Sequence, residues 1–118
     1  MRIQEFITFL GTKNLNNTAY FYQNVLGLKL YKDQGLCKIF NVTKESKIGF
    51  CSHMPIISAD KGPILTLVVE NVEEFYEKLI NLGQEIPNPP KINPKFNIYH
   101  FFFYDPNGYT LEIQKFLD

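Results

Sequence analysis

The sequence predicts an α+β fold made of two βαβββ modules, on the basis of an internal repeat, two helix signals and several strand-length apolar segments. The repeat relates FITFLGTKNLNNTAYFYQNVLGLKL, from Phe6 to Leu30, to ILTLVVENVEEFYEKLINLGQEI, from Ile64 to Ile86. Each copy has an extended segment, an asparagine, an amphipathic helix and a leucine-glycine stop. The two asparagines lie about half a chain apart, so the duplication spans the chain.

Each predicted helix begins after an asparagine and ends at a glycine. Asn14 is suited to accept from the free amides of the first helix, and Asn71 with Glu74 forms an asparagine version of the capping box. Gly27 and Gly83 supply the left-handed residue that ends each helix. The apolar stripes are Leu15, Ala19, Tyr22 and Leu26 in the first helix and Val72, Phe75, Leu79 and Leu82 in the second.

Strand-like segments follow the first helix near residues 28–33, 36–42 and 47–53. This organisation predicts a single domain with module one at 1–53, a linker at 54–63 and module two at 64–118. Residues 84–97 carry four prolines, which exclude a central strand and predict an extended edge or flap. We expect this segment to connect two strands, the alternative being that it covers a site.

Composition restricts the function. Acidic and basic residues balance at 12 each with no block of like charge, so there is no basic footprint for nucleic acid or anionic lipid. The N-terminal MRIQEF has no apolar signal core, and the apolar runs are of strand length. We therefore expect a soluble, cytoplasmic protein with a small molecule or a protein as partner. Cys37 and Cys51 have neither metal-type nor redox spacing, and in a reducing cytosol we expect free thiols.

A hairpin is predicted near the end of the chain. Asp105-Pro106-Asn107-Gly108 fits a type I turn with Gly108 in the left-handed position of a three-residue loop, which pairs Asp105 with Tyr109. Alternation then gives a core face of Phe101, Phe103, Leu111 and Ile113. The opposite face carries His100, Phe102, Tyr104, Thr110, Glu112 and Gln114. This second face has the composition of a binding cleft.

FYQNVLGLKL from Phe21 to Leu30, the paired βαβββ halves, and YDPNGYTLEI from Tyr104 to Ile113 together resemble the glyoxalase, bleomycin-resistance and extradiol-dioxygenase superfamily, also called vicinal oxygen chelate proteins. The likeness covers essentially the whole chain. It implies that the modules form a curved, mixed eight-stranded sheet around a cleft, with the helices on the outer face. It also implies a homodimer.

Metal-dependent members of that superfamily hold a divalent ion with His or Gln and Glu from the first and last strands of the modules. The resemblance matches Glu112 to the last-strand ligand of module two. The first-strand positions fall on Ile64 and on Phe6, or on Ile7 if no residue is inserted before Asn14. Hydrocarbon side chains cannot bind a cation, and transition-metal sites need three or four donors. We therefore expect no metal and no other cofactor.

A divalent metal is the less favoured alternative. Its site would be rebuilt from His53, His100, Glu112 and Gln114. Glu112 itself has three interpretations. The first is a solvated carboxylate, and the second is an anchor in an apolar cleft that binds a cationic or polar group or pairs with His100. The third is a metal ligand or a general base. We favour the anchor.

Thr8 and Thr66 alternate with Phe6 and Ile64 on the first strands and add two hydroxyls to the same floor. No catalytic residue is assigned. The predicted ligand-binding residues are Phe6, Thr8, Ile64, Thr66, His100, Phe102, Glu112 and Gln114.

The favoured function is a metal-free small-molecule-binding protein that resembles bleomycin-resistance members. In it Phe102 and Tyr104 stack on an aromatic ligand and Glu112 takes a cationic group. The alternative is a metal-dependent glyoxalase-like lyase, isomerase or dioxygenase that uses Glu112 as metal ligand or base. The third class is a structural or regulatory domain with a vestigial cleft.

Overall fold

The computed structural model describes all 118 residues. A strand, a helix and three further strands occur twice in succession, so the predicted α+β order of elements is confirmed. The chain divides into two compact units, which we call unit one (Met1–Ile57) and unit two (Ser58–Asp118). Neither helix is long and apolar enough to cross a lipid bilayer.

Unit one is a four-stranded mixed sheet with one helix. Its strands are β1 (Phe6–Gly11), β2 (Lys29–Asp33), β3 (Cys37–Asn41) and β4 (Ser46–Cys51). The spatial order is β1-β4-β3-β2, with β1 parallel to β4 and the other pairs antiparallel. Helix α1 (Leu15–Tyr20) continues as a π-helical segment, Phe21–Val25.

The cap and the stop of the first helix are confirmed. The side chain of Asn14 accepts from the amide of Asn17 at 3.0 Å, and Gly27 has a φ of 74°. The predicted regular helix widens in its second half, because the amide of Leu26 donates to the carbonyl of Phe21, five residues back. The ring of Tyr22 packs 4.5 Å from that of Phe50, which identifies the helix side of this sheet.

Unit two repeats the plan. Its strands are β5 (Ile64–Val68), β6 (Lys91–Asn93), β7 (Ile98–Tyr104) and β8 (Thr110–Phe116), and its helix is α2 (Val72–Asn81). The order β5-β8-β7-β6 again pairs the first strand in parallel with the last. The proline-rich segment contributes only the short edge strand β6, as its prolines predict.

Helix α2 is capped by Asn71, whose side chain accepts from the amide of Glu74 at 3.0 Å. The reciprocal contact differs from a standard capping box, because the Glu74 carboxylate accepts from the Asn71 side-chain amide instead of the backbone. Gly83 ends the helix with a φ of 84°. The ring of Tyr76 packs on Phe101 at 5.4 Å, so α2 covers the core face of the predicted hairpin.

The prediction that Cys37 and Cys51 are free thiols was wrong, because the structure joins them in a disulfide. The physical cause is the register of β3 and β4, which sets Cys37 directly opposite Cys51 with their Cα atoms 4.1 Å apart. Spacing along the chain does not reveal this proximity, since it arises from pairing between strands.

The orientation predicted for Phe6 and Thr8 on β1 was also wrong. Leu10 pairs with Phe50, whose ring contacts the helix, and alternation places Phe6 and Thr8 on that same side of the sheet. The other side of β1 carries Ile7 and Phe9. The alignment without an inserted residue, which relates Ile7 to Ile64, is therefore the one that the strand pairing supports.

Candidate functional site

The hairpin of β7 and β8 has the predicted register. Phe102 lies opposite Glu112 and His100 opposite Gln114. The turn is fixed by Asp105, whose carboxylate accepts from the backbone amides of Asn107 and Tyr109 at 2.8 and 3.0 Å. Gly108 takes the left-handed position with a φ of 90°. Because the turn sets the register, it also sets which side chains meet on the face opposite α2.

Glu112 is the centre of a hydrogen-bond network on that face. Its Oε1 accepts from the Thr66 hydroxyl at 2.7 Å and from the Gln114 amide at 2.9 Å. Its Oε2 lies 2.6 Å from Nδ1 of His100. Glu112 and His100 are only 6% and 5% exposed. Three short hydrogen bonds offset much of the desolvation cost of a buried carboxylate.

The bond to Glu112 fixes the orientation of the His100 ring. An ionised carboxylate can only accept, so Nδ1 of His100 carries the shared proton. Nε2 is then the ring nitrogen left to contact a ligand. The Phe102 ring packs against the imidazole in a T-shaped arrangement, with a centroid distance of 5.1 Å. We call His100 and Glu112 the dyad.

The dyad lies at a depression of about 550 Å³ on unit two. The walls are mainly apolar, and Phe96, Phe102 and Phe116 each keep more than a third of their surface exposed. The full lining is Ile64, Asn93, Phe96, Ile98, His100, Phe102, Glu112, Gln114 and Phe116. Apolar walls around a few polar groups are typical of small-molecule sites.

A second depression, of about 380 Å³, shares Ile64, His100 and Phe102 with the first. Its far wall is formed by the proline-rich segment, through Pro87, Asn88, Pro89 and Lys91. We expected that segment only to connect two strands. In the structure it also lines a surface that contains the dyad histidine.

The structure brings together six of the eight residues predicted to bind a ligand. Ile64, His100, Phe102, Glu112 and Gln114 line the larger depression, and Thr66 supports Glu112. Phe6 and Thr8 belong to unit one and lie on its helix side, as described above. Sequence reasoning missed Phe96 and Phe116. Alternation from Gln114 could have found Phe116, whereas Phe96 lies in a loop without periodicity.

The residues of this site do not fit the superfamily's metal. Both oxygens of Glu112 already accept hydrogen bonds, and His100 uses Nδ1 in one of them. The chain has one group of three His, Cys, Asp or Glu side chains able to hold an ion, and it consists of Cys37, Cys51 and His53 in unit one. The rebuilt site that required His53 beside Glu112 has no support in this grouping.

Comparison with known proteins agrees with this fold. A family model described as "Glyoxalase/Bleomycin resistance protein/Dioxygenase superfamily" matches residues 3–113. No functionally curated protein matches the sequence.

Solved structures with the same fold share little sequence with this chain. A glyoxalase/bleomycin resistance protein/dioxygenase from Nocardioides is 18% identical with a TM-score of 0.81, covering 100% of this chain and 86% of its own. A lactoylglutathione lyase from Agrobacterium tumefaciens is 18% identical with a TM-score of 0.75, covering 93% and 91%. A genomically encoded fosfomycin resistance protein from Listeria monocytogenes is 19% identical with a TM-score of 0.73, covering 98% and 93%. With the family model matched over nearly its whole length, the chain belongs to the glyoxalase, bleomycin resistance protein and dioxygenase superfamily.

Proposed function

We propose that this protein binds a small organic molecule in the depression of about 550 Å³ beside the dyad, without a metal ion, and that the ligand carries an aromatic ring and a cationic group. The observation that carries the proposal is the buried His100–Glu112 dyad, with 2.6 Å between Nδ1 and Oε2, among apolar walls. We further propose that the protein is cytoplasmic and acts as a homodimer.

The apolar walls favour an aromatic ligand. Phe102 and Phe116 are 38% and 56% exposed, and Phe96 is 64% exposed, although each has a large apolar surface to bury. A flat ring placed against them removes apolar area from water, and this stabilises the complex by about 25 cal/mol for each Å² buried. Ring contacts add about 0.5–1.5 kcal/mol for a well-placed aromatic pair.

The dyad favours a cationic or hydrogen-bond-donating group. When His100 is neutral, the dyad carries the single negative charge of Glu112, and Nε2 offers a lone pair. A ligand N–H that donates to Nε2 is therefore stabilised by the carboxylate behind the ring. Ionised partners make hydrogen bonds about twice as strong as neutral ones do.

An enzyme is the second candidate, and the same dyad favours it. A carboxylate that orients an imidazole, with the second ring nitrogen free, is the arrangement of a general base. In this candidate His100 removes a proton from a bound substrate and Glu112 stabilises the resulting imidazolium. One structural neighbour is named as a lactoylglutathione lyase, and this likeness supports the second candidate.

The test is a thermal-unfolding titration with benzamidinium and with its neutral analogue benzamide. At about ten times its Kd, a ligand stabilises the folded protein by about 1.4 kcal/mol, which raises Tm by several degrees. We expect a rise with benzamidinium that is lost in Glu112→Gln. Glu77→Gln is the matched control, since Glu77 is an exposed acid on α2 and the substitution removes the same charge.

Two results would contradict the proposal: an equal rise with benzamide, or a benzamidinium response that survives Glu112→Gln. The titration is repeated with Zn²⁺, Ni²⁺ and Mn²⁺ on protein whose Cys37–Cys51 disulfide is intact, so that these sulfurs supply no thiolate. A metal-dependent rise in Tm that Glu112→Gln abolishes would replace the metal-free function by the metal-dependent alternative.

A further inference from the structure

Three potential metal ligands meet at one end of the β3–β4 hairpin in unit one, apart from the ligand-binding site proposed above. Cys37 begins β3, Cys51 ends β4, and His53 follows two residues later. Their ligand atoms all lie within 4.8 Å of one another, and Nδ1 of His53 is 4.0 Å from Sγ of Cys37. Cys51 is buried, whereas His53 is exposed.

We propose that Cys37, Cys51 and His53 form a Zn²⁺ site that the disulfide closes. In the oxidised chain both sulfurs are bonded to each other and neither is a thiolate. In the reduced chain the two thiolates and the imidazole make a Cys₂His donor set, which is typical of zinc. The fourth position of the tetrahedron stays open to water or to another ligand.

Reduction leaves the two sulfurs adjacent. The pairing of β3 with β4 runs from Cys37↔Cys51 to Asn41↔Lys47, so the strand register does not depend on the disulfide. The Cα atoms are 4.1 Å apart in the oxidised chain. A tetrahedral ion with Zn–S of about 2.3 Å needs the sulfurs about 3.8 Å apart, which side-chain rotation on neighbouring strands supplies.

The histidine needs a similarly small adjustment. With Zn–N of about 2.0–2.1 Å, a tetrahedral site requires about 3.5 Å between sulfur and ring nitrogen. The Cys37 Sγ to His53 Nδ1 distance is 4.0 Å. Because His53 is exposed and lies in the turn after β4, its ring is free to make this movement. Sulfur and imidazole ligands also select zinc over Mg²⁺ and Ca²⁺, which prefer oxygen.

The chemistry balances with a dithiol as reductant. The reductant's two thiols are oxidised to a disulfide while Cys37–Cys51 accepts two electrons and two protons and becomes two thiols. Each thiol then releases its proton when it binds Zn²⁺. Disulfides in a reducing compartment are usually transient or redox-sensing, which is the behaviour that this site requires. Oxidation by a disulfide of the same class reverses the sequence and expels the ion.

The experiment compares oxidised protein with protein reduced by a water-soluble phosphine, which takes up oxygen from water as the disulfide gains two hydrogens. After removal of the phosphine without air, Zn²⁺ affinity is measured by competition with a chromophoric chelator. We expect one Zn²⁺ per reduced chain and at least about a hundredfold weaker binding to the oxidised chain. Co²⁺ in the same site should show a thiolate-to-metal charge-transfer band.

The variants are Cys37→Ser, Cys51→Ser and His53→Gln, with Met54→Leu as the control that removes the neighbouring thioether. Loss of groups that merely orient a ligand costs 10–100-fold in metal affinity, so loss of a ligand should cost at least about tenfold. Met54→Leu should bind as the unmodified chain does.

Equal Zn²⁺ affinity of the oxidised and reduced chains would overturn the proposal, and this comparison decides even if a cysteine variant does not fold. So would a Co²⁺ complex without the charge-transfer band, or full affinity in either serine variant. Full affinity in His53→Gln would also overturn it, because the site would then be a dithiol without the imidazole. Benzamidinium binding is measured separately at the dyad, so failure of one proposal leaves the other standing.

Discussion

The two units share a fold and a strand register but differ at the four positions that carry the chemistry. In each unit the last strand lies between two others: it pairs in parallel with the first strand and antiparallel with the third strand. The corresponding residues in unit one and unit two are Phe9 and Thr66, Gly49 and Glu112, Cys37 and His100, and Cys51 and Gln114. A polar network in one unit is thus an aromatic ring, a glycine and a disulfide in the other.

The difference shows how unit one lacks the carboxylate of Glu112 without leaving a cavity in its place. A Cβ on Gly49 would lie 2.6 Å from two ring atoms of Phe9, so the ring occupies the space above the glycine. In unit two the corresponding threonine leaves that space open and donates to Glu112. The two first-strand residues therefore decide whether a carboxylate fits: threonine admits and supports it, and phenylalanine replaces it.

The largest effect should come from removing the carboxylate of unit two. Glu112→Ala leaves His100 without its ionised partner and Thr66 and Gln114 without their acceptor. Breaking a buried charged pair costs about 3–5 kcal/mol. We expect a loss of that size in the free energy of unfolding, measured by urea denaturation.

The control is Glu77→Ala on the exposed face of α2, which should change the free energy of unfolding by no more than about 0.5 kcal/mol. Similar small costs for Glu112→Ala and Glu77→Ala would mean that Glu112 is solvated. The contrast with Gly49 would then concern surface residues only.

The next effect tests the ring that fills unit one. Gly49→Ala forces its new methyl group against Phe9, and Ile39 lies only 3.4 Å away on the other side. Overpacking of this kind costs about 1–3 kcal/mol. In a Phe9→Ala background the same substitution should cost less, with a coupling of at least about 0.5 kcal/mol in a double-mutant cycle. Additive costs would show that Phe9 does not exclude a side chain at position 49.

Sequence reasoning succeeded where a turn fixes the register. The Asp105–Gly108 turn sets the pairing of β7 with β8, and alternation then assigns every side chain of that hairpin to a face. The core face, the burial of Phe103 and Ile113, and the meeting of His100 with Glu112 all follow from that one register. Composition alone would have left Glu112 as a surface acid.

It failed where no local signal fixes the register. Strand β1 has no hairpin turn, and a shift of one residue exchanges Phe6 and Thr8 for Ile7 and Phe9 on the side of the sheet away from the helix. The disulfide was missed for a related reason, since the register of β3 with β4 depends on a loop without a defined turn type. Inference from the cellular compartment then favoured free thiols, which the strand pairing contradicts.

A smaller effect should show that the units are alike at their helix caps. Asn14 and Asn71 each accept from a backbone amide three residues ahead, at 3.0 Å. Substitution of either by alanine should cost about 1 kcal/mol, because one amide of the first turn loses its acceptor. Asn→Ser is the matched control at each position, since the serine hydroxyl still accepts and adds no charge beside Glu74. A loss of stability at only one position would mean that only one of the two asparagines stabilises its helix, and that the units differ at their caps as well as at their sites.

The smallest effect concerns a polar cluster that unit one has and unit two lacks. Lys47 is the counterpart of Thr110, since they pair with Ile7 and Ile64. The Lys47 ammonium lies 3.5 Å from the Glu5 carboxylate and 4.6 Å from the centre of the Tyr31 ring. Tyr31 in turn donates to Glu5 at 3.1 Å. This hydrogen bond, with desolvation and the charge of Glu5, raises the pKa of Tyr31.

A raised pKa means that the folded state favours the protonated phenol, so the resulting stability is complete below the ordinary phenol pKa of about 10. It is lost as the pH rises through the raised pKa. We therefore expect Tyr31→Phe to be less stable than the unmodified chain at neutral pH, and this difference to vanish in strongly alkaline solution. Urea denaturation across that pH range measures it, with Tyr20→Phe as the control for an exposed tyrosine. Equal stability of Tyr31→Phe and the unmodified chain at neutral pH would assign the role of Tyr31 to its ring, which both side chains have and which packs against the Lys47 ammonium. The hydroxyl would then have no part in what distinguishes this cluster from unit two.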